Sequence, residues 1–373
     1  MSEDTGTVVT VEGRIDPEEL GVTLPHEHLF GNAVDSLYEP PDSAVERRIA
    51  EEPISLENYW WVRRNPWNHK DNLVLDSFED AVEEVGHYHR AGGDAIVDVS
   101  PKGTGRNPED VRAVARETGV TFVHGTAFYT RDSHPDRVAE MTADEIAEEF
   151  VADVREGIGD TDVRAGVIGE IGITGHEQDD NAYCDWIHPQ EEKVLRGGVR
   201  AALRTGASVS VHPPSKRDPE YPTSRRTLEV LDVASEEGLP MERLILCHRD
   251  QSKWQETDRT YRTEIAERGA YVEFDLFGHD DLYHAAVDDA QPSDLDRVKA
   301  LIGMIDDGYA DRMLLSHDVF LKYLLKKYGG YGYSHILENI VPLLSEMGVE
   351  RSVLDTMLID NPQRVLTFQE PES

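Results

Sequence analysis

After residue 70 the chain alternates between short apolar runs and longer stretches whose apolar positions recur at helical spacing. The short runs fall at 95–99 (AIVDV), 121–124 (TFVH), 165–170 (AGVIGE), 208–212 (SVSVH), 244–248 (LILCH), 271–275 (YVEFD) and 313–317 (MLLSH). With 23–28 (TLPHEH) they make eight predicted strands. In the stretches between, Leu195, Val199 and Ala202 recur at i, i+4, i+7, with Arg196, Arg200 and Arg204 on another face. A helix predicted over 77–91 meets a natural stop at the Gly92–Gly93 pair. Eight strands alternating with helices predict an α/β fold of the (β/α)8 TIM-barrel type, one domain over 1–373. An open doubly wound sheet would want a glycine-rich phosphate loop after its first strand, and TLPHEH is not one.

Two segments stand outside this rhythm. The N-terminal VVTVEGRI predicts a short β-hairpin. The segment 33–76 is a long insertion after strand one, rich in tryptophan and proline (Trp60, Trp61, Trp67). In a barrel it belongs to the catalytic face, as a wall or lid of the pocket or as a partly helical decoration.

Charge narrows the partners. The chain has 373 residues, 37 basic and 74 acidic, for a net charge of −37; lysine is scarce beside arginine. Such a surface repels itself in dilute salt and is relieved by screening, a composition that resembles proteins of salt-accumulating halophiles. Binding to nucleic acid is not expected, because phosphate neutralisation needs basic patches. No run reaches the length of a membrane span, so no membrane partner is expected either. With two cysteines, Cys184 and Cys247, and no secretory signal, a cytoplasmic location is expected.

The candidate chemistry lies at the C-terminal ends of the predicted strands, where barrel enzymes carry their active residues. On a strand, residues i and i+2 share a face, so His26 and His28 would stand side by side. Strand four ends on Glu170, strand five on His212 and strand six on His248, and Asp318 follows strand eight. Taken singly, each is as readily a structural histidine or a helix-capping aspartate. Together, four imidazoles and two carboxylates at corresponding strand ends suit two divalent metal ions. Zinc comes first, with manganese, cobalt or iron as alternatives. The second HxH pair, His87 and His89, lies in a helical pattern where i and i+2 diverge. His69, His134, His188, His279, His284 and His335 fall in loops or helices and are not expected to be ligands. His317 is expected to support Asp318, and Cys247 to point away from His248 into the helix layer. Tyr129 and Arg249 are candidate substrate contacts or, equally, core or surface partners.

These motifs resemble the phosphotriesterase-like metallohydrolases of the amidohydrolase superfamily, from about residue 21 to residue 366. TLPHEH resembles the family's strand-one motif, LLSHD its strand-eight aspartate and NPQRVL its closing helix. VIGEIGITG places Glu170 where many members carry a carboxylated lysine, as in the branch that bridges its metals with glutamate. EEPISLENYWWVRRNPWNHKDNL and YGGYGYSHILENIVPLL resemble the phosphotriesterase-related subfamily. The resemblance implies a binuclear hydrolase in which a metal-bridging hydroxide attacks a small-molecule amide or ester. His26, His28 and Asp318 would hold one ion, and His212 and His248 the other. Glu170 would lie between them, with Asp318 as proton carrier. In VEFDLFG, Asp275 is kept but Leu276 stands where family lactonases of the quorum type carry arginine. Vertebrate relatives are associated with N-acetyl amides of small sulfonated amines, so amide hydrolysis stands beside lactone hydrolysis. A mononuclear, deaminase-like hydrolase and a non-catalytic metal-binding relative remain as alternatives, and a homodimer is compatible with the resemblance.

Overall fold

The computed structural model describes residues 2–174, 187–213, 223–250, 256–279 and 292–372. Cys184 and His284 lie outside the described residues. All eight predicted strands are present: Thr23–Glu27, Ala95–Asp98, Thr121–His124, Ile168–Gly172, Val209–His212, Leu244–Leu246, Tyr271–Phe274 and Met313–Leu315. They are called barrel strands one to eight. Strands one to three pair in parallel, as do strands four to eight. The seam between strands three and four is closed by a parallel bridge, Gly125 to Val167. Strand four begins later than its sequence pattern predicts. Val167 makes the bridge to Gly125, and a side chain on Gly166 would strike the Val9 carbonyl oxygen of the N-terminal hairpin, 2.1 Å away. That hairpin pairs Val8–Thr10 with Gly13–Ile15 as the sequence predicts. The molecule is a TIM barrel.

Alternation sorts the strands into two cores. Ala95, Val97, Val99, Val123, Val167, Ile245, Tyr271 and Leu314 point inward and fill the barrel. Val8, Leu20, Val365 and Leu366 plug its lower end. The alternate positions, among them Ile96, Phe122, Val211, Leu246, Phe274 and Leu315, face outward against the helices. The helix Phe78–Arg90 is capped by the Ser77 hydroxyl, which accepts from Asp80 N at 3.2 Å. In the helix Pro189–Thr205, Leu195, Val199 and Ala202 are buried as their spacing predicts. On its other face Arg196 and Arg200 both reach Glu237, and Arg204 reaches Glu148. Among the described residues, no helix is long and apolar enough to cross a membrane.

The seam between strands eight and one positions the site, and it is closed by side chains. Glu27, the residue between the two strand-one histidines, is fully buried. Its Oε1 accepts from Ser316 Oγ (2.8 Å), His317 N (2.9 Å) and His317 Nδ1 (2.8 Å), and its Oε2 from Val319 N (2.9 Å). Asp318 N donates to the His26 carbonyl at 3.2 Å, and Ser316 Oγ lies 2.8 Å from the same oxygen. One carboxylate therefore holds the end of strand eight against strand one.

The insertion is docked, not loose. Gly31–Asn32 pairs with Val74–Leu75 at its base. Lys322 meets Asp71 at 2.6 Å, and Tyr323 N donates to Asn72 Oδ1 at 2.9 Å. Both contacts fasten it to the loop after strand eight.

Glu27→Ala leaves buried donors on the strand-eight turn without an acceptor, at a cost on the order of 3–5 kcal/mol. Chemical denaturation of the variant beside the wild-type chain reads this directly. An unchanged midpoint would mean that the seam is closed by other contacts.

Candidate metal centre

The structure brings His26, His28, Glu170, His212, His248 and Asp318 together at the C-terminal mouth of the barrel. His26 and His28 stand side by side as the strand spacing predicts, with ring centroids 5.5 Å apart. His26 Nε2 is 3.6 Å from Glu170 Oε1 and 3.5 Å from Asp318 Oδ1. His28 Nε2 is 3.1 Å from Asp318 Oδ1. Across the mouth, His212 Nδ1 and His248 Nε2 are 2.8 Å apart and lie 2.9 and 3.1 Å from the same Glu170 Oε1. His248 and Asp318 take positive φ, 57° and 52°. This region is unfavourable for side chains and is often met at functional sites.

The left-handed turn at His248 corrects one expectation. Cys247 does not enter the helix layer. It follows Ile245 into the barrel, where its Sγ lies 3.2 Å from Ser210 Oγ and close beside His26, Glu273 and Asp275. Alternation takes 245 and 247 inward, and His248 reaches the same interior because its backbone leaves the strand.

Behind the donor atoms stands a second layer that the sequence reading did not assemble. Asp275 Oδ1 accepts from His248 N and faces His248 Nδ1, each at 2.9 Å. Its Oδ2 lies 3.2 Å from His26 Nδ1, and Glu273 Oε2 lies 3.3 Å from that same nitrogen. Ser100 Oγ is 3.0 Å from His28 Nδ1. Such partners fix imidazole orientation and tautomer. The available signal was the spacing of Glu273 and Asp275, two acids on one face of strand seven. His317 meets Glu27 through Nδ1, and its Nε2 accepts from Ile336 N at 3.0 Å, so it supports the strand-eight turn as predicted.

The electrostatics favour positive charge at the mouth. Burial works to raise the Glu170 carboxyl, but His26, His212 and His248 outweigh it and hold Glu170 well below the ordinary range. Asp318 is likewise buried, and His26 and His28 hold it well below the usual value. Burial opposes protonation of His248, yet Asp275 beside it lifts the imidazole to about 10 and is itself held near 2. Ionised carboxylates thus sit among imidazoles that attract cationic charge.

These residues fit a metal. Donors about 2.1 Å from a tetrahedral ion lie roughly 3.4 Å from one another, the spacing seen between these atoms. Among the described residues four overlapping groups could hold an ion: His26, His28 and Glu170; His26, His248 and Asp318; Glu170, His212 and His248; and, deeper in the barrel, His26, Cys247, Glu273 and Asp275. His26 Nε2 is buried with no hydrogen-bond partner among the described residues, an orphaned donor atom aimed into the cluster.

The two candidate substrate contacts separate. Tyr129 lies at the mouth, its hydroxyl 3.1 Å from His212 Nδ1. Arg249 is buried, and its guanidinium is held by the Cys247 carbonyl (2.7 Å) and Thr227 Oγ1 (2.6 Å). Among the other described histidines, several have partners away from the cluster. His89 Nδ1 faces the Gly93 carbonyl, His188 caps its helix, and His335 pairs with Asp294 at 2.6 Å.

Barrel and donor set define a metal-dependent hydrolase. A family model described as the phosphotriesterase family matches residues 6–366, and the chain belongs to that family. It is 36% identical to the N-acetyltaurine hydrolase of Xenopus tropicalis, over 99% of this chain and 100% of that one. A resiniferatoxin-binding protein from Rhodobacter sphaeroides shares the structure with a TM-score of 0.88 at 38% identity, over 98% of each chain. A lactonase from Listeria monocytogenes gives 0.74 at 25% identity, over 98% of this chain and 100% of that one.

Replacing Asp275 with alanine removes the acceptor behind His248 and is expected to weaken metal affinity by about 10- to 100-fold. Competition with a chromophoric chelator measures this. Unaltered zinc affinity would show that His248 needs no such support.

Proposed function

We propose that the protein is a two-metal hydrolase of small N-acyl amides, with lactones as the second substrate class. The observation that carries this reading is the single oxygen Glu170 Oε1, which faces His26 on one side and His212 and His248 on the other. A carboxylate shared in this way suits two ions and is more than one ion needs. His26, His28 and Asp318 would hold the first, His212 and His248 the second, and Glu170 both. Zinc leads on the ligand set, and manganese, cobalt or iron also fit it. Bound ions would polarise a carbonyl and lower the pKa of a water.

The chain's own residues supply the rest. Asp318, ionised and hydrogen-bonded from its backbone to strand one, is placed to take a proton from the attacking water and pass it to the departing nitrogen or oxygen. Tyr129 presents a hydroxyl beside His212 and orients the substrate carbonyl. Arg249, held by Cys247 and Thr227, acts through the backbone that presents His248 and is not a substrate contact in this reading. Amide leads over lactone because the relative that spans the whole chain at 36% identity is an N-acetyltaurine hydrolase, whereas the lactonase is 25% identical. Leu276, in place of the lactonase arginine, favours the same order. The net charge of −37 supports a fold adapted to concentrated salt.

Wild-type enzyme is expected to cleave N-acetyl amides of small amines. Asp318→Asn is expected to lower kcat by about 10²- to 10⁴-fold with its metal content kept. Steady-state kinetics paired with elemental analysis decides it. Normal turnover by a fully loaded Asp318→Asn enzyme removes Asp318 from proton transfer.

A further inference from the structure

A second cavity lies outside the metal centre, between the loop after strand two and the helix Ala143–Arg155. It measures about 520 Å³, the size of an ordinary small-molecule site. Three cations line it: Lys102 and Arg106 from the loop, and Arg137 from the short helix Asp136–Ala139. In a chain with 37 basic residues against 74 acidic ones, three cationic heads in one cavity stand out.

The carboxylates of Glu149 and Asp153 are spent on fixing those heads. Glu149 Oε1 meets Lys102 Nζ (2.5 Å) and Arg137 Nη2 (2.9 Å), and its Oε2 meets Arg137 Nη1 (2.5 Å). Asp153 Oδ2 faces Thr126 Oγ1 (2.5 Å), Lys102 Nζ (2.8 Å) and, more loosely, Arg106 Nη2 (3.4 Å). Three positive charges thus answer two negative ones in this network. Glu156 also borders the cavity, but it is exposed to solvent, where water screens its charge.

Arg106 holds the unspent capacity. Its side chain keeps only 11% of its surface, yet it donates from Nη1 to the Gly125 carbonyl at 3.1 Å and from Nη2 to Asp153 and makes no other hydrogen bond among the described residues. A guanidinium carries five N–H donors, so three of them have no protein acceptor there. Burial outweighs the pull of Asp153 and lowers the Arg106 guanidinium below its ordinary value. Elsewhere on the wall Gly157 and Gly159 bring no side chains, and a Cβ on Gly159 would meet nothing within 4 Å.

We infer that this cavity binds a small oxyanion, organic or inorganic, against the Arg106 guanidinium, with Lys102 and Arg137 completing the cationic wall. A planar fork of N–H groups matches a pair of anionic oxygens. The site is separate from the metal centre and does not depend on the hydrolase reading, but the two share a framework. Lys102 N donates to the Ala127 carbonyl at 2.8 Å, and Lys102 bridges to Phe128, the neighbour of Tyr129. Ser100, two residues before Lys102, lies 3.0 Å from His28 Nδ1. The segment that carries the oxyanion site thus also carries a contact of a metal-facing histidine.

Acetate and sulfate probe the two sources of such an anion. The zinc-loaded full chain is titrated calorimetrically with each, at constant KCl. The metal centre attracts oxyanions too, so comparison with Arg106→Gln isolates the cavity. Wild-type protein is expected to bind at least one of the two anions, and Arg106→Gln to bind it about tenfold more weakly. Arg137 has the most exposed side chain of the three cations, at 52%. Arg137→Gln is expected to weaken the anion by roughly threefold, and it supplies an independent reading should Arg106→Gln fail to fold. Zinc content and thermal melting establish that each variant is loaded and folded. A preference for acetate assigns the site to a carboxylate, and a preference for sulfate to an inorganic oxyanion; either supports it. Binding of neither anion by the wild-type chain, or wild-type affinity in every folded variant, overturns the assignment.

Discussion

The site depends first on a carboxylate that is not one of its donors. Glu27 stands between His26 and His28 and accepts four hydrogen bonds from the strand-eight turn. A closed barrel has a first and a last strand that must meet, and here the meeting is made largely by this side chain. The same contact brings His26 and His28 from strand one within 3.5 Å of Asp318 from beyond strand eight. These residues are some 290 positions apart in sequence. A buried carboxylate with every oxygen hydrogen-bonded is costly to disturb, so the relative positions of these three donors are fixed before any ligand arrives.

Charge then accounts for the rest of the mouth. Glu170 and Asp318 stay ionised because imidazoles surround them, and His248 is drawn toward positive charge by Asp275. Burial alone would push each group toward neutrality. The cluster is thus organised for cations, with the second layer of Asp275, Glu273 and Ser100 setting which ring nitrogen faces inward. The insertion is fastened beside this centre. It is tied through Asp71 and Asn72 to the loop after strand eight.

Much of this was legible in the sequence, because regular geometry leaves periodic traces. Eight apolar runs correspond to eight strands, and the arginine stripe on the helix Pro189–Thr205 lies away from its buried face, as its spacing predicts. Reading only the strand ends collected six residues that do converge. What escaped was irregular. Cys247 was misplaced because a period of two cannot register the positive φ of His248. Strand four starts at Ile168, just past Gly166, which packs against the hairpin backbone, a contact between segments far apart in sequence. Glu27 is an ordinary acid in the sequence, and only closure of the barrel sets it against His317.

The central claim is that Glu170 joins two cation sites in one centre. Elemental analysis of the full chain, purified in molar KCl without chelator, tests it most directly. The account predicts close to two divalent ions per chain. Fewer than half an equivalent, unrecovered after addition of zinc or manganese, would contradict it, since these six residues would then not be a metal centre.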